Sequence, residues 1–158
     1  MFWHVQAAFK EALKNKSLLV IEYIIEDLEI DLHHECFGNN LLHKFIHTCS
    51  MAERYDDEDM KEVNRQVVRY LVQGYAREVD SMDKLNGSTA LHLACEHLTD
   101  LVIIETLIDG GADVNAVNSD DKLPINYVRA RMEKDPDNYD LLDIEIKLKQ
   151  KGSKKCEF

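Results

Sequence analysis

The sequence predicts an all-α protein, a solenoid of about four stacked helix–turn–helix units joined by short hairpin loops. Three observations carry the prediction: a segment that recurs along the chain, apolar positions spaced for helices between the copies, and glycines where those helices must stop. "IDLHHECFGNNLLHKF" (30–45) aligns without a gap on "VDSMDKLNGSTALHLA" (79–94), at a constant offset of 49. Gly38 meets Gly87, Leu42 meets Leu91 and His43 meets His92. A third copy, "VNAVNSDDKLPINYV" (114–128), has one residue fewer in its turn. It places Pro124 where Ala90 stands and Asn126 where His92 stands. Units of this kind bury their apolar faces only against one another, so repetition points to a linear stack.

At residues 87 to 128 the wording becomes specific. Gly87, Thr89, Ala90, Leu91, His92 and Ala94 open the unit, Leu101 to Ile108 form an apolar run, and Gly111, Ala112, Asp113, Val114 and Asn115 follow. This order closely resembles an ankyrin repeat, sharply over about residues 79 to 128 and more dilutely elsewhere. The resemblance implies an ankyrin-repeat solenoid that acts by protein–protein binding. It also implies that the His92 ring bonds backbone in the hairpin loops, tying neighbouring units together.

Each unit can be justified in order. Residues 2–37 form the first, with Phe2, Val5, Phe9, Ala12 and Leu13 at helical spacing and polar positions outward as an end cap requires; Trp3 is read as packing within that cap. The second, 38–86, carries an insertion near 48–64, because the offset of 49 exceeds the ~33-residue period of such repeats by about sixteen. That segment contains "MAERYDDEDMKE", with six acids against two bases. It reads as a lengthened helix or solvated loop, or else as a recognition arm added to the scaffold. The third unit, 87–121, starts with Thr89 as a helix cap and Ala90 in the early place that also suits proline. Gly110 and Gly111 are expected to supply the left-handed backbone that ends its second helix. The fourth, 122–150, closes the stack, with lysines on its outer side. One domain therefore covers 1–150, and 151–158 is expected to be a flexible tail.

Composition excludes several classes. At 158 residues, 45% apolar and 31% charged, the chain suits one folded domain. Its net charge of −11 disfavours nucleic acid and anionic membrane surfaces and favours a protein partner with a basic or mixed surface. No apolar run approaches the ~20 residues that span a bilayer. The first residues lack the order of a secretory signal, so a cytoplasmic or nuclear monomer is expected. "NGS" at Asn86 matches a glycosylation acceptor that such a location leaves unused. The four cysteines include no C-x-x-C pair and read as free thiols.

"HHECFGNNLLHKFIHTC" (33–49) offers His34, Cys36, His43, His47 and Cys49, the material of a zinc site, and zinc is the rival reading of the chain. His43 recurs as His92, however, as a structural position does, and no paired cysteines complete a set. No metal and no cofactor are expected. Cys95 stands beside Glu96 and His97, but adjacent helical residues point apart, so catalysis is not expected.

Surface recognition remains. The expected partner-binding residues are His34, Glu35 and Phe37 at the first tip, and Asp83, Lys84 and Leu85 at the second. Asn118, Asp120 and Asp121 are expected at the third, with Lys44, His47, Glu96 and Tyr127 on the first-helix faces. Gly38, Leu42, His43, Gly87, Thr89, Leu91, His92, Ala94, Gly111 and Pro124 are expected to hold the repeat. Short ankyrin chains of this kind resemble two inhibitor types, IκB-like inhibitors of Rel factors and the small cyclin-dependent-kinase inhibitors; a substrate receptor of a ubiquitin ligase, or another scaffold fragment, is the alternative.

Overall fold

A computed structural model describes residues 41–53, 58–74 and 79–153, together with Ala7, Ala8, Glu11, Ala12, Asn15, Ser17, Leu19, Val20 and Tyr23. Six helices have defined bounds among the described residues: α1 Leu41–Glu53, α2 Glu58–Gly74, α3 Ala90–His97, α4 Leu101–Asp109, α5 Pro124–Met132 and α6 Tyr139–Gln150. No strand occurs among the described residues, so the fold is an all-α repeat. Most of the expected first unit, including His34, Glu35 and Phe37, lies outside the described residues, as does Gly38 at the start of the second.

The helices pack in two layers. Helix α3 lies between α1 and α5, α4 lies between α2 and α6, and each first helix packs on the second helix of its own unit. The core between the layers includes Phe45, Ile46, Val67, Val68 and Leu71, then Leu91, Ala94, Ile103, Ile104 and Leu107, then Ile125, Val128, Leu141, Ile144 and Leu148. Full burial of such a side chain stabilises by about 1.5–3 kcal/mol, so the stack is held chiefly by this seam. Leu42, Leu91 and Ala94 are all buried in it, and buried Ala90 and Pro124 open α3 and α5. Ala94 has no bulk to hold the two helices apart.

The helix ends follow from their residues. The Thr89 side chain accepts from the His92 amide at the start of α3, and Asp100 Oδ1 accepts from Val102 N–H at 3.0 Å at the start of α4. Asn138 Oδ1 accepts from Leu141 N–H at 3.3 Å at the start of α6. At the other end, Gly111 takes φ +100°, Gly111 N–H reaches Ile108 O and Ala112 N–H reaches Leu107 O. This paired closure recurs after α6, with Gly152 at φ +93°, Gly152 N–H on Lys149 O and Ser153 N–H on Leu148 O. Lys151 to Ser153 are therefore still bonded into the helix end, where a loose tail was expected. Gly110 differs from expectation too. Its φ is −77°, and a Cβ there would overlap the Val72 side chain, so it permits close approach of α2 to α4 rather than a left-handed turn.

Among the described residues the second unit has longer helices than the third, while 54–57 and 75–78 lie outside them. Helices α1 and α2 have 13 and 17 residues, against 8 and 9 in α3 and α4. The acidic stretch enters α2 as its first turn, where Glu58 and Asp59 meet the positive end of the helix dipole. Lys61 bonds Glu58 at 2.8 Å within that turn. Arg65 Nε then bonds Asp100 Oδ2 at 2.8 Å, joining α2 to the start of α4.

Helix α6 does not end in a lysine-coated face. Lys147 bonds Glu105, and Lys151 bonds Asp109 at 3.1 Å, so both reach back to α4. Lys149 and Arg129 both bond the nearly buried Glu145, each at 2.9 Å. Burial works against the charged form of Glu145, yet these two bonds outweigh it and hold the carboxyl below its ordinary range. The opposite side of α6 exposes Tyr139, Leu142 and Ile146.

Candidate partner-binding surface

Two histidines at equivalent repeat positions make equivalent bonds. His43 Nε2 lies 2.8 Å from Ser88 O, and His92 Nε2 lies 3.0 Å from Lys122 O. Each acceptor is the residue just before the cap of the next first helix, so each ring fastens its unit to the following hairpin. The His92 tautomer follows from its surroundings. Nδ1 receives Thr89 N–H at 3.1 Å, so the ring proton sits on Nε2 and is donated to Lys122 O. Burial disfavours the charged imidazolium in both rings and lowers both pKa values, although the Ser88 and Lys122 carbonyls pull the other way. The fourth unit keeps half of this device: Asn126 Oδ1 accepts from Leu123 N–H at 2.7 Å and closes its own helix start. His43 and His92 are thus fasteners of the scaffold.

The fasteners set the hairpins. In the hairpin of residues 83–88, Asp83 Oδ1 accepts from Leu85, Asn86 and Ser88 N–H, at 3.2, 2.9 and 3.3 Å. Asp83 N–H bonds Ser88 O at 2.9 Å and closes the loop. Gly87 has φ +68°, a conformation that glycine adopts freely. Asn118 repeats the Asp83 role one hairpin on, with Oδ1 accepting from Asp120 and Lys122 N–H at 3.1 and 3.0 Å. Its Nδ2 donates to Ser88 Oγ at 3.2 Å and to Tyr127 Oη at 2.8 Å. Asp121 occupies the Gly87 place with φ +57°. The two hairpins are tied by Ser119 N–H on Asn86 O at 2.8 Å.

This geometry sorts the expected contact residues. Leu85 is 94% exposed at a tip whose backbone Asp83 holds, beside exposed Lys84 and Met82. Asp120 and Asp121 are exposed at the next tip. Asn118 is not: it is 4% exposed and its amide serves the hairpin, so it is corrected from a contact to a structural residue. Asp83 is partly exposed, and its Oδ1 serves the loop in the same way. On the helix faces Lys44 and His47 are exposed and Glu96 is partly exposed. The His47 and His97 rings meet edge-to-face at 5.9 Å, across the junction of α1 and α3. Leu85, Lys84, Lys44, His47 and Glu96 therefore project from elements that the core holds in place. Sequence reasoning missed His97, whereas exposed Met82 lies within the expected second tip, "MDKLN" (82–86), three residues before Leu85.

The chemistry of the remaining candidates is quiet. Cys95 is fully buried, and burial pushes its thiol up to about 12, out of reach of neutral-pH thiolate chemistry. Arg131 donates to Cys95 O and Leu98 O at 3.0 and 2.6 Å, satisfying carbonyls at the end of α3. Cys49 is also buried. Among the described residues no three His, Cys, Asp or Glu side chains are grouped to hold a metal ion, and no helix is long and apolar enough to cross a membrane. A polar cleft of about 390 Å³ lies at the other end of the units, lined by residues such as Glu58, Lys61, Arg65, Asp100, Asp140 and Asp143.

Comparison with known proteins agrees with this architecture. The family described as ankyrin repeats (3 copies) matches residues 9–118. No match was found among curated proteins or solved structures. Helices α5 and α6 lie beyond the matched residues, yet they pack on α3 and α4 as another pair of the same stack. With its repeated helix pairs, its histidine fasteners and this match, the chain belongs to the ankyrin-repeat family, whose repeats serve as protein–protein interaction modules.

Proposed function

We propose that the chain is a non-catalytic binding module that grips one protein partner through its hairpin tips and first-helix faces. The observation that carries this reading is Leu85, an apolar side chain left 94% exposed on a hairpin whose own bonds hold it out. Lys84 and Met82 flank it, and Lys44, His47 and Glu96 extend the surface along the helices. A net charge of −11 favours a partner with a basic or mixed surface over nucleic acid. The finer reading is that a monomer in the cytoplasm or nucleus acts as an inhibitor or adaptor by occlusion, in the manner of IκB-like chains on Rel factors. The test is binding to a purified Rel dimer, and to the protein captured most strongly from cell extract. Leu85→Ser with Met82→Ser should weaken the true partner by tenfold or more, as loss of a central apolar contact does. An unchanged affinity refutes the tip as the contact; no Rel binding with a different partner retained refutes only the IκB-like part.

A further inference from the structure

We propose that Asn86–Gly87 is a site of spontaneous covalent modification, at which the chain converts Asn86 through a cyclic imide to aspartate and isoaspartate. Asn86 is the one asparagine in the sequence followed by glycine, so no β-carbon shields the next backbone nitrogen. Three features of the hairpin favour the reaction in the folded state. Leu85, Asn86 and Ser88 N–H are all bonded, whereas Gly87 N–H makes no hydrogen bond among the described residues and is available as nucleophile. Asn86 Oδ1 accepts Ser88 N–H at 3.2 Å, which polarises the side-chain carbonyl and stabilises negative charge on that oxygen as it forms. Asn86 and Gly87 are partly exposed, within reach of water.

The steps balance with water as the one co-reactant. Gly87 N loses its proton and bonds to Asn86 Cγ; the Cγ–Nδ2 bond then breaks, and Nδ2 leaves as ammonia. Water adds to the resulting five-membered imide. Opening at Cγ restores the normal backbone with aspartate; opening at the main-chain carbonyl leaves the backbone running through Cγ, one carbon longer, with the α-carboxylate pendant.

The neighbouring hairpin provides the contrast. Asn118, followed by Ser119, is buried, and its Nδ2 is held by Ser88 Oγ and Tyr127 Oη. The fold thus protects Asn118 and leaves Asn86 open. The isoaspartate product removes the Asn86 carbonyl from the chain path at the point where Ser119 N–H bonds it, and it displaces Ser88, whose carbonyl receives His43 Nε2. Modification therefore loosens the tie between hairpins and places a new negative charge beside Leu85.

The test uses the intact protein, held at neutral pH and physiological temperature in water carrying heavy oxygen, and then mapped by mass spectrometry with fragmentation that separates aspartate from isoaspartate. Folded protein should modify Asn86 at no less than about a tenth of the rate in urea, because no backbone bond of Gly87 has to open first. It should take up one heavy oxygen there and leave Asn118 intact until unfolded. A folded rate slower than that, or Asn118 modified as fast as Asn86, overturns the proposal. Asn86→Asp carries the charge without the extra carbon. It should keep the thermal midpoint that the isolated isoaspartate form loses; equal midpoints for the two forms would overturn the loosening of the hairpin tie.

Discussion

Replacement of His92 by alanine tests the fastener most directly. The ring is fully buried and bonds both Thr89 N–H and Lys122 O. Alanine removes both bonds and leaves two backbone groups to find water or remain unpaired, at about 1–3 kcal/mol each. The lost packing adds to this, so an overall cost of about 3–5 kcal/mol is expected, at the upper end for single substitutions. Asparagine separates the two bonds. By the example of Asn126 on Leu123 N–H, His92→Asn should restore the bond to Thr89 N–H but not reach Lys122 O, recovering about 1 kcal/mol of the loss. Equilibrium urea unfolding of the wild type, His92→Ala and His92→Asn, compared at constant m-value, reads these differences. A cost below about 1 kcal/mol for His92→Ala, or an asparagine variant no better than alanine, would refute the fastener argument.

Other expectations follow from the same structure. The pKa values of His43 and His92 lie below the ordinary 6.5, so the unfolded chain binds more protons in acid; stability should be complete above pH 6.5 and fall as pH drops through 6.5 towards the folded values. Unfolding midpoints across pH 7.5 to 5 should show that slope, and His92→Asn should flatten it. Asp121→Gly should stabilise by about 0.5–1 kcal/mol in urea unfolding, since aspartate there holds φ +57° where Gly87 holds the equivalent turn. Asp100→Ala removes both a helix cap and the Arg65 partner and should cost about 2 kcal/mol; Asp100→Asn keeps the cap and should recover about half of it.

How much of this was legible in the sequence varied with the kind of interaction. His43 and His92 were legible because repetition marks a structural position even before its partner is known. Gly111 was legible because a left-handed helix end follows from local order, and Gly152 in "KGS" carries the same signal without a repeat to draw attention to it. Gly110 was not, because its role depends on Val72, 38 positions upstream on another helix. Asn118 was misread as a tip residue because polarity does not tell a side chain that faces a partner from one that ties two loops together. The acidic stretch before Val63 fitted loop and helix equally by charge; its part from Glu58 onward is helix, with Glu58 and Asp59 in the first turn, while 54–57 lie outside the described residues.

The long second helix has a mechanical consequence. Glu58 to Asn64 precede Arg65, about 10 Å of helix at 1.5 Å per residue, and run past the start of α4 at the end of the units away from the hairpin tips. Val63 packs on the core and Asn64 is buried just before the Arg65–Asp100 pair, so the stretch is moored along its inner side and Glu58 and Asp59 are exposed at its acidic start. The two ends of the units are thus held by different means, a charge pair at one and a buried ring at the other.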